Sequence, residues 1–361
     1  MSFYLPTKVF VSADCVAVHS DILASLGKHA LIVTGKSSSK ANGSLNDVRN
    51  ALDKVNVKYT IFDEVEENPS VETVMKARDV GVKAGVDFVV GVGGGSPLDA
   101  SKAIAVMIKN QSSSWELMFD GKVSPDHLPV AAVPTTCGTG SEVTAVAVLT
   151  RHDLRTKLPM IHKVFPVVAL CDSKYLTGAP KGVIRRTAVD ALGHMVESYI
   201  NSRATPFSRM CADAGFALWK KCKEYLLDES SSLNPEIATN LLEASTFAGM
   251  AIAQTGTSIP HGLSYTLTYE GGIPHGTAVG LFQSGYLRHA DEEERKHVLG
   301  AIGFDNPKEV GEFITKICPV TVSRELLTKA VDSLLKNPSK LANCPYKADE
   351  TVLMDIINDV H

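Results

Sequence analysis

Residues 258–276 read SIPHGLSYTLTYEGGIPHG, so Ile-Pro-His-Gly occurs twice, at 259–262 and again at 273–276. Proline and glycine flanking a histidine are ordinary turn punctuation. The repeat gains chemical weight from RRTAVDALGHMVESY, which sets Asp190 and His194 four residues apart on a helical pattern and therefore on one face. Taken alone, an Asp–His pair at that spacing reads as a helix-face hydrogen bond or ion pair. With His261 and His275 available, the set becomes one carboxylate and three imidazoles. Those donors suit a divalent metal that keeps a position open for substrate. The seven cysteines are scattered and never form a CxxC pair, which argues against a disulfide framework and a thiolate zinc site. Metal ligands must then come from histidine and carboxylate.

Two further stretches offer a place for an anion. VDFVVGVGGGSPLDASKAIA reads strand, glycine turn, helix. Gly93, Gly94 and Gly95 let backbone approach a ligand closely, and the helix starting near Pro97 directs free N–H groups and its positive end there. A tight turn without ligand is the plainer reading, since Ser96 stands where the last glycine of a GxGxxG would fall. PTTCGTGSEVT at 134–144 follows another apolar strand with glycines and threonines whose donors suit phosphate, ribose or a carboxamide. Two such loops are expected together at the carboxyl edge of one sheet, where doubly wound folds bind ligands. A phosphate-bearing cofactor is the favoured reading.

The elements that must hold these residues fall into two rhythms. HALIVT (29–34), YTIFDEV (59–65), VDFVVGV (86–92), LPVAAVP (128–134) and VVALCD (167–172) read as buried strands. The stretches 44–55, 70–85 and 98–109 between them have helical spacing, and the alternation predicts a parallel sheet covered on both faces. EVTAVAVLT (142–150) reads as a strand outside that alternation. Beyond TGAPKG (177–182) the periodicity is helical almost to the end. The expected organisation is a Rossmann-like α/β domain over 1–178 and an all-α domain over 179–361, with ligand in the cleft between them. A chain of 361 residues is long enough for two such cores.

A net charge of −4 gives no attraction for nucleic acid or an anionic membrane surface. No apolar run reaches the roughly 18 residues of a membrane span. The start, MSFYLPTKVF, lacks the basic and apolar regions of a signal peptide, so a cytoplasmic location is expected.

GGGSPLDASK, PTTCGTGSEVT, DALGHMVES and the two PHG segments, in this order, resemble the iron-containing (group III) alcohol dehydrogenase family. The resemblance covers nearly the whole length. It implies a dinucleotide-binding domain, a helical domain, a homodimer, and metal ligation by Asp190, His194, His261 and His275. It places pyrophosphate on Gly94, Gly95 and Ser96, and makes Asn68, Asp99, Thr135, Thr136, Thr139, Thr144 and Lys157 cofactor contacts. Lys102 is read as structural and Cys137 as a small residue in a tight loop. Many relatives have a further histidine four residues after the third ligand; here Tyr265 stands there, a weak candidate for proton relay.

NAD-preferring relatives end the early strand with an acidic residue. This chain has Gly35 there, followed by Lys36, Ser37 and, further on, Lys40, so NADP is preferred over NAD. Fe(II) is the ion the resemblance implies, and Zn(II) is the other ion such a set accepts. The expected reaction is reduction of a small aldehyde to a primary alcohol and its reverse, with the metal as Lewis acid. The alternatives are a zinc-dependent polyol dehydrogenase, a dehydroquinate-synthase-like enzyme, a metallohydrolase, and a non-catalytic NADP-binding protein.

Overall fold

The computed structural model describes residues 2–360. Among them eight strands run, in chain order, as β1 (Lys8–Val11), β2 (His29–Gly35), β3 (Lys58–Val65), β4 (Phe88–Gly93), β5 (Val130–Pro134), β6 (Val148–Arg151), β7 (Thr156–Pro159) and β8 (Val168–Cys171). Six of these form one sheet in the order β1-β8-β5-β4-β2-β3, and every pairing in it is parallel. The register pairs Leu31 with Val89 and Val89 with Val130.

Side chains alternate between the two faces of the strands. Leu31, Val33 and Val89 pack with Val74, Ala77 and Ile104 on one side. Ala30, Ile32 and Val90 pack with Leu23, Val48 and Leu52 on the other. Because both faces are covered, the central strand β4 is buried at every residue and its sequence is a continuous apolar run rather than an alternating one. The covering helices are Ser44–Lys54, Val71–Ala84 and Gly95–Lys109, of which the second starts and stops on clear local signals. Ser70 accepts the Thr73 N–H at the start of the second, and Gly85 closes it in the left-handed conformation with φ 69°.

The stretch 142–150 departs from the single strand expected of it. Ser141–Val143 is a 3-10 turn, and only Val148–Arg151 is extended, paired antiparallel with β7 in a separate two-stranded sheet. Val143, Ala145, Ala147 and Leu149 of this stretch are buried, which is the property its composition reports, but burial alone does not require a strand. The short strands β1 and β7 and the first two helices, Cys15–Val18 and Ser20–Leu26, carry too few residues to show a period.

The remainder is helical and is built around Lys181–Tyr199, which is buried at every position from Ala188 to Tyr199. Pro206–Lys220, Pro235–Thr255 and His275–Gly280 pack against it, and Ile259–Gly271 also touches it. Proline stands in the first turn of Pro206–Lys220, Pro235–Thr255 and Ile259–Gly271, where its missing N–H costs nothing. The chain divides into two compact units. One is the sheet unit, Leu5–Thr136 with Ser141–Gly178; the other is helical, runs from Ala179 onward, and also takes in Cys137–Gly140 and the residues up to Tyr4.

Candidate functional site

In the sheet unit the first glycine loop leaves β4 and enters the Gly95–Lys109 helix. Gly93 has φ 147°, which an L side chain rarely adopts, and a Cβ there would lie 2.7 Å from the Pro97 ring. A Cβ on Gly94 would lie 2.9 Å from Thr136, and the Thr135 N–H donates to the Gly93 carbonyl at 2.9 Å. The first glycine loop and the start of the second are therefore in direct contact. Ser96 Oγ accepts the Asn68 N–H at 3.0 Å, and Asn68 Oδ1 accepts from Lys157 Nζ at 2.8 Å. Asn68 itself is left-handed with φ 59°, a conformation asparagine tolerates better than most residues. The structure thus brings Gly94, Ser96, Thr135, Thr136, Asn68 and Lys157 into one cluster of donors.

Asp99 is used differently. Its Oδ1 accepts from Ser141 Oγ at 2.6 Å and its Oδ2 from the Val148 N–H at 2.9 Å. Lys102 lies beside it, fully buried, with Nζ 2.7 Å from Ser141 Oγ, 2.8 Å from the Val146 carbonyl and 3.4 Å from Thr144 Oγ1. Burial holds the Lys102 ammonium below its usual pKa, against the opposing pull of Asp99. This pair ties the 141–148 segment to the Gly95–Lys109 helix. Thr144 belongs to that tether, whereas Thr139 lies in the Cys137–Gly140 segment that packs with the helical unit. At the end of β2, Gly35 is followed by exposed Ser37 and Lys40, and Lys40 Nζ pairs with Asp63 at 2.5 Å. Asp63, on neighbouring β3, supplies a carboxylate that the linear sequence does not place beside Lys40.

The helical unit gathers the metal-type residues. Asp190, His194 and Glu197 recur along one face of Lys181–Tyr199 and all are buried. Each IPHG places its histidine in the first turn of a helix: His261 is third in Ile259–Gly271 and His275 is first in His275–Gly280. Gly276 is required there, because a Cβ would lie 1.9 Å from the Arg186 carbonyl oxygen and 3.1 Å from Asp190 Cβ. Asp190 Oδ1 lies 3.5 Å from His261 Nε2 and 3.8 Å from His275 Nε2. One donor atom from each of Asp190, His261 and His275 falls within 4.8 Å of the others. His194 is outside that group of three, but its ring stacks on His261 with centroids 4.3 Å apart.

The imidazoles are held from their far sides. His194 Nδ1 faces the Gly138 carbonyl at 3.1 Å, His261 Nδ1 faces Glu197 Oε1 at 2.6 Å, and His275 Nδ1 faces Ser264 Oγ at 3.4 Å. A carbonyl or carboxylate on Nδ1 assigns the proton there and leaves Nε2 with its lone pair. Asp190 Oδ1 and His261 Nε2 are buried and have no hydrogen-bond partner. Burying polar atoms in that state costs free energy, and two facing acceptors without a proton between them fit a cation. The donor set and the orphaned atoms both fit a divalent metal.

The same groups also shift one another's titration. Burial pushes the Asp190 carboxyl up, but His194, His261 and His275 outweigh it and hold the group below the usual carboxylate range. Burial pushes His194 down to about 4, with Asp190 opposing. Burial also pulls His261 down, but Glu197 and Asp190 together raise it. Cys137 is fully buried and pushed up to about 11 by that burial, with its thiol 3.2 Å from Thr187 Oγ1, so it is no thiolate nucleophile. The Tyr265 ring stacks 6.3 Å from the His275 ring.

Sequence reasoning missed Glu197, Ser264 and the Gly138 carbonyl. Glu197 was in principle accessible, since positions 190, 194 and 197 share one helical stripe. A backbone carbonyl carries no signature in the sequence at all.

Residues 6–173 match the iron-containing alcohol dehydrogenase family, and residues 184–326 match the C-terminal part of the Fe-containing alcohol dehydrogenase family. The solved iron-containing alcohol dehydrogenase from Thermotoga maritima is 37% identical, with a TM-score of 0.91 over 99% of each chain. An NADPH-dependent butanol dehydrogenase from Clostridium saccharobutylicum is 28% identical over 78% of this chain and 72% of its own. An NADH-dependent butanol dehydrogenase A from Clostridium acetobutylicum is 26% identical over 98% of this chain and 91% of its own. With both of its units matched and its fold shared throughout, the chain belongs to the iron-containing alcohol dehydrogenase family.

Proposed function

We propose that this oxidoreductase is a metal-dependent alcohol dehydrogenase and aldehyde reductase that transfers hydride between NADP(H) and a small aldehyde or primary alcohol. The observation that carries the reading is the meeting of buried Asp190 and His261 with partly buried His275, with Asp190 Oδ1 and His261 Nε2 lacking any other partner. Asp190, His194, His261 and His275 would hold the ion, Fe(II) first and Zn(II) second. When bound, the metal supplies Lewis-acid polarisation of the substrate oxygen, and the nicotinamide supplies or accepts the hydride.

The chain's own residues bind and orient. Gly94, Gly95 and Ser96 leave room for pyrophosphate at the start of the Gly95–Lys109 helix, whose free N–H groups favour an anion. Asn68, Thr135, Thr136 and Lys157 add donors around that cradle, and Thr139 and Thr144 are assigned to the same cofactor by resemblance. Asp99 serves the cofactor indirectly, by fixing the 141–148 segment through Ser141 and Val148. Tyr265 forms an aromatic wall beside His275, and its hydroxyl is the candidate for proton exchange with the substrate oxygen.

Coenzyme choice rests on the chain itself, because the two butanol dehydrogenase relatives named above differ in it. Gly35 leaves no carboxylate at the end of β2, and Lys36, Ser37 and Lys40 offer donors to a 2′-phosphate. The Lys40–Asp63 pair works the other way, neutralising one cation and keeping NAD in play. The family match does not favour a polyol dehydrogenase or a dehydroquinate-synthase-like enzyme.

The test is anaerobic. Metal-free protein is loaded with Fe(II) or Zn(II) and mixed with short aldehydes and NADPH or NADH, and nicotinamide absorbance is followed. Metal-dependent consumption of NADPH, lost in His275→Ala, is the expected result. Equal use of NADH removes the coenzyme preference and leaves the reaction standing. No consumption with either metal across the panel overturns the dehydrogenase reading. Sedimentation of the same preparation tests for the homodimer.

A further inference from the structure

Glu197 is the most enclosed charge in the helical unit. It has no exposure, and its two oxygens meet two other segments of chain. Oε1 accepts from His261 Nδ1 at 2.6 Å and lies 3.4 Å from Gln283 Nε2. Oε2 accepts the Ser258 N–H at 2.6 Å and the His261 N–H at 3.5 Å. The last two are orphan donors at the start of Ile259–Gly271, groups that a helix cannot satisfy internally. Glu197 therefore caps the helix that carries His261 while sitting on the helix that carries Asp190 and His194. Through Gln283 it also reaches the start of Gln283–His289, the helix that follows His275–Gly280.

A carboxylate is costly to bury and is retained only where it is fully engaged. Neither serine nor a backbone carbonyl would do the same work on His261. Those partners suffice for His275 and His194, but only Glu197 brings a full negative charge to an Nδ1–H. A charged acceptor fixes the ring's orientation and tautomer and makes Nε2 a stronger donor, an arrangement characteristic of histidines that ligate metals.

Resting on the metal-centre reading given above, we propose that Glu197 is the positioning residue of that centre. It aims His261 Nε2 at Asp190 Oδ1, strengthens it as a ligand, and locks together the segments that carry the donors. Its role is metal retention and ligand geometry, and it touches neither substrate nor cofactor.

Full-length protein stripped of metal is titrated with Co(II) in competition with a chromophoric chelator, using wild type, Glu197→Gln, Glu197→Ala and Asp190→Ala. The visible Co(II) bands report the ligand set, and circular dichroism with thermal melting of the metal-free proteins reports folding. Wild type is expected to bind one Co(II) tightly, and Glu197→Gln to bind about 10- to 100-fold more weakly with altered bands. If wild type and Asp190→Ala both fail to bind, the metal-centre reading falls. If wild type binds, Asp190→Ala does not, and Glu197→Gln matches wild type in affinity and spectrum, the positioning role falls while the metal centre stands. A second measurement needs no variant to fold: wild type carrying 15N-histidine is loaded with Zn(II), and the His261 ring is observed by NMR. A retained Nδ1 proton with metal on Nε2 is expected; metal on Nδ1 overturns the proposal.

Discussion

At Glu66 one carboxylate accepts the Ser70 N–H at 2.7 Å and the Thr73 hydroxyl at 2.8 Å, closing the turn that carries Asn68. Burial pushes this carboxyl up, but the Ser70 and Thr73 donors outweigh it and hold the group below its usual range. A depressed carboxylate contributes stability that is fully present above the unfolded pKa of about 4.3 and is lost as pH falls through the lower folded value. Glu66→Gln is expected to cost about 1 kcal/mol at pH 7 in urea unfolding, with the difference from wild type vanishing below that window. A difference that persists unchanged in acid would mean that shape, rather than charge, holds the turn. The same scale shows what a linear reading can miss. Asp190, His194, His261 and His275 announce themselves by type and spacing. Glu197 looks like any helical glutamate until its Oε1 is found 2.6 Å from an imidazole. Asp63 lies 23 residues from Lys40, and only the pairing of β2 with β3 makes them neighbours.

At the scale of elements, the site depends on how closely His275–Gly280 can approach Lys181–Tyr199. Gly276 sets that distance, since any Cβ would collide with the rigid Arg186 carbonyl. Gly276→Ala is expected to cost about 1–3 kcal/mol and to lower kcat/KM by about 100-fold or more, because the helix must move and carry His275 off its Asp190 partner. Steady-state kinetics beside a denaturant titration check this; a fully active, equally stable variant would refute it. The elements themselves were legible where their sequences were long and one-sided. The five strands read from apolar runs are present: in β2, β4, β5 and β8 burial leaves little room for polar residues, and β3, at the sheet edge, keeps Phe62 and Val65 buried among polar neighbours. The stretch 142–150 is extended only from Val148, because a turn and a tether hold the residues before it, with Lys102 bonded to Ser141 and Val146. No periodicity encodes a long-range contact of that kind.

For the molecule as a whole, binding at the candidate centre must appear as added stability, because an ion held by the folded chain and not by the unfolded one shifts the equilibrium. Zn(II) at about 100 times its dissociation constant is expected to add about 2.7 kcal/mol, seen as a higher calorimetric transition in wild type and not in Asp190→Ala. An equal shift in both would place the ion elsewhere. The two units also differ in how they occupy the chain. The helical one takes in Cys137–Gly140 from within the sheet unit's span, and Gly138 supplies the carbonyl facing His194 Nδ1 from 56 residues away. A fragment beginning at Ala179 would carry every side chain of the candidate metal set and still lack the group that fixes one of its rings. The units are therefore not exchangeable modules. A chimera that grafts a foreign sheet unit onto this helical one must bring along, or rebuild, those four residues, so recombination at the apparent joint is constrained by a segment lying well upstream of it.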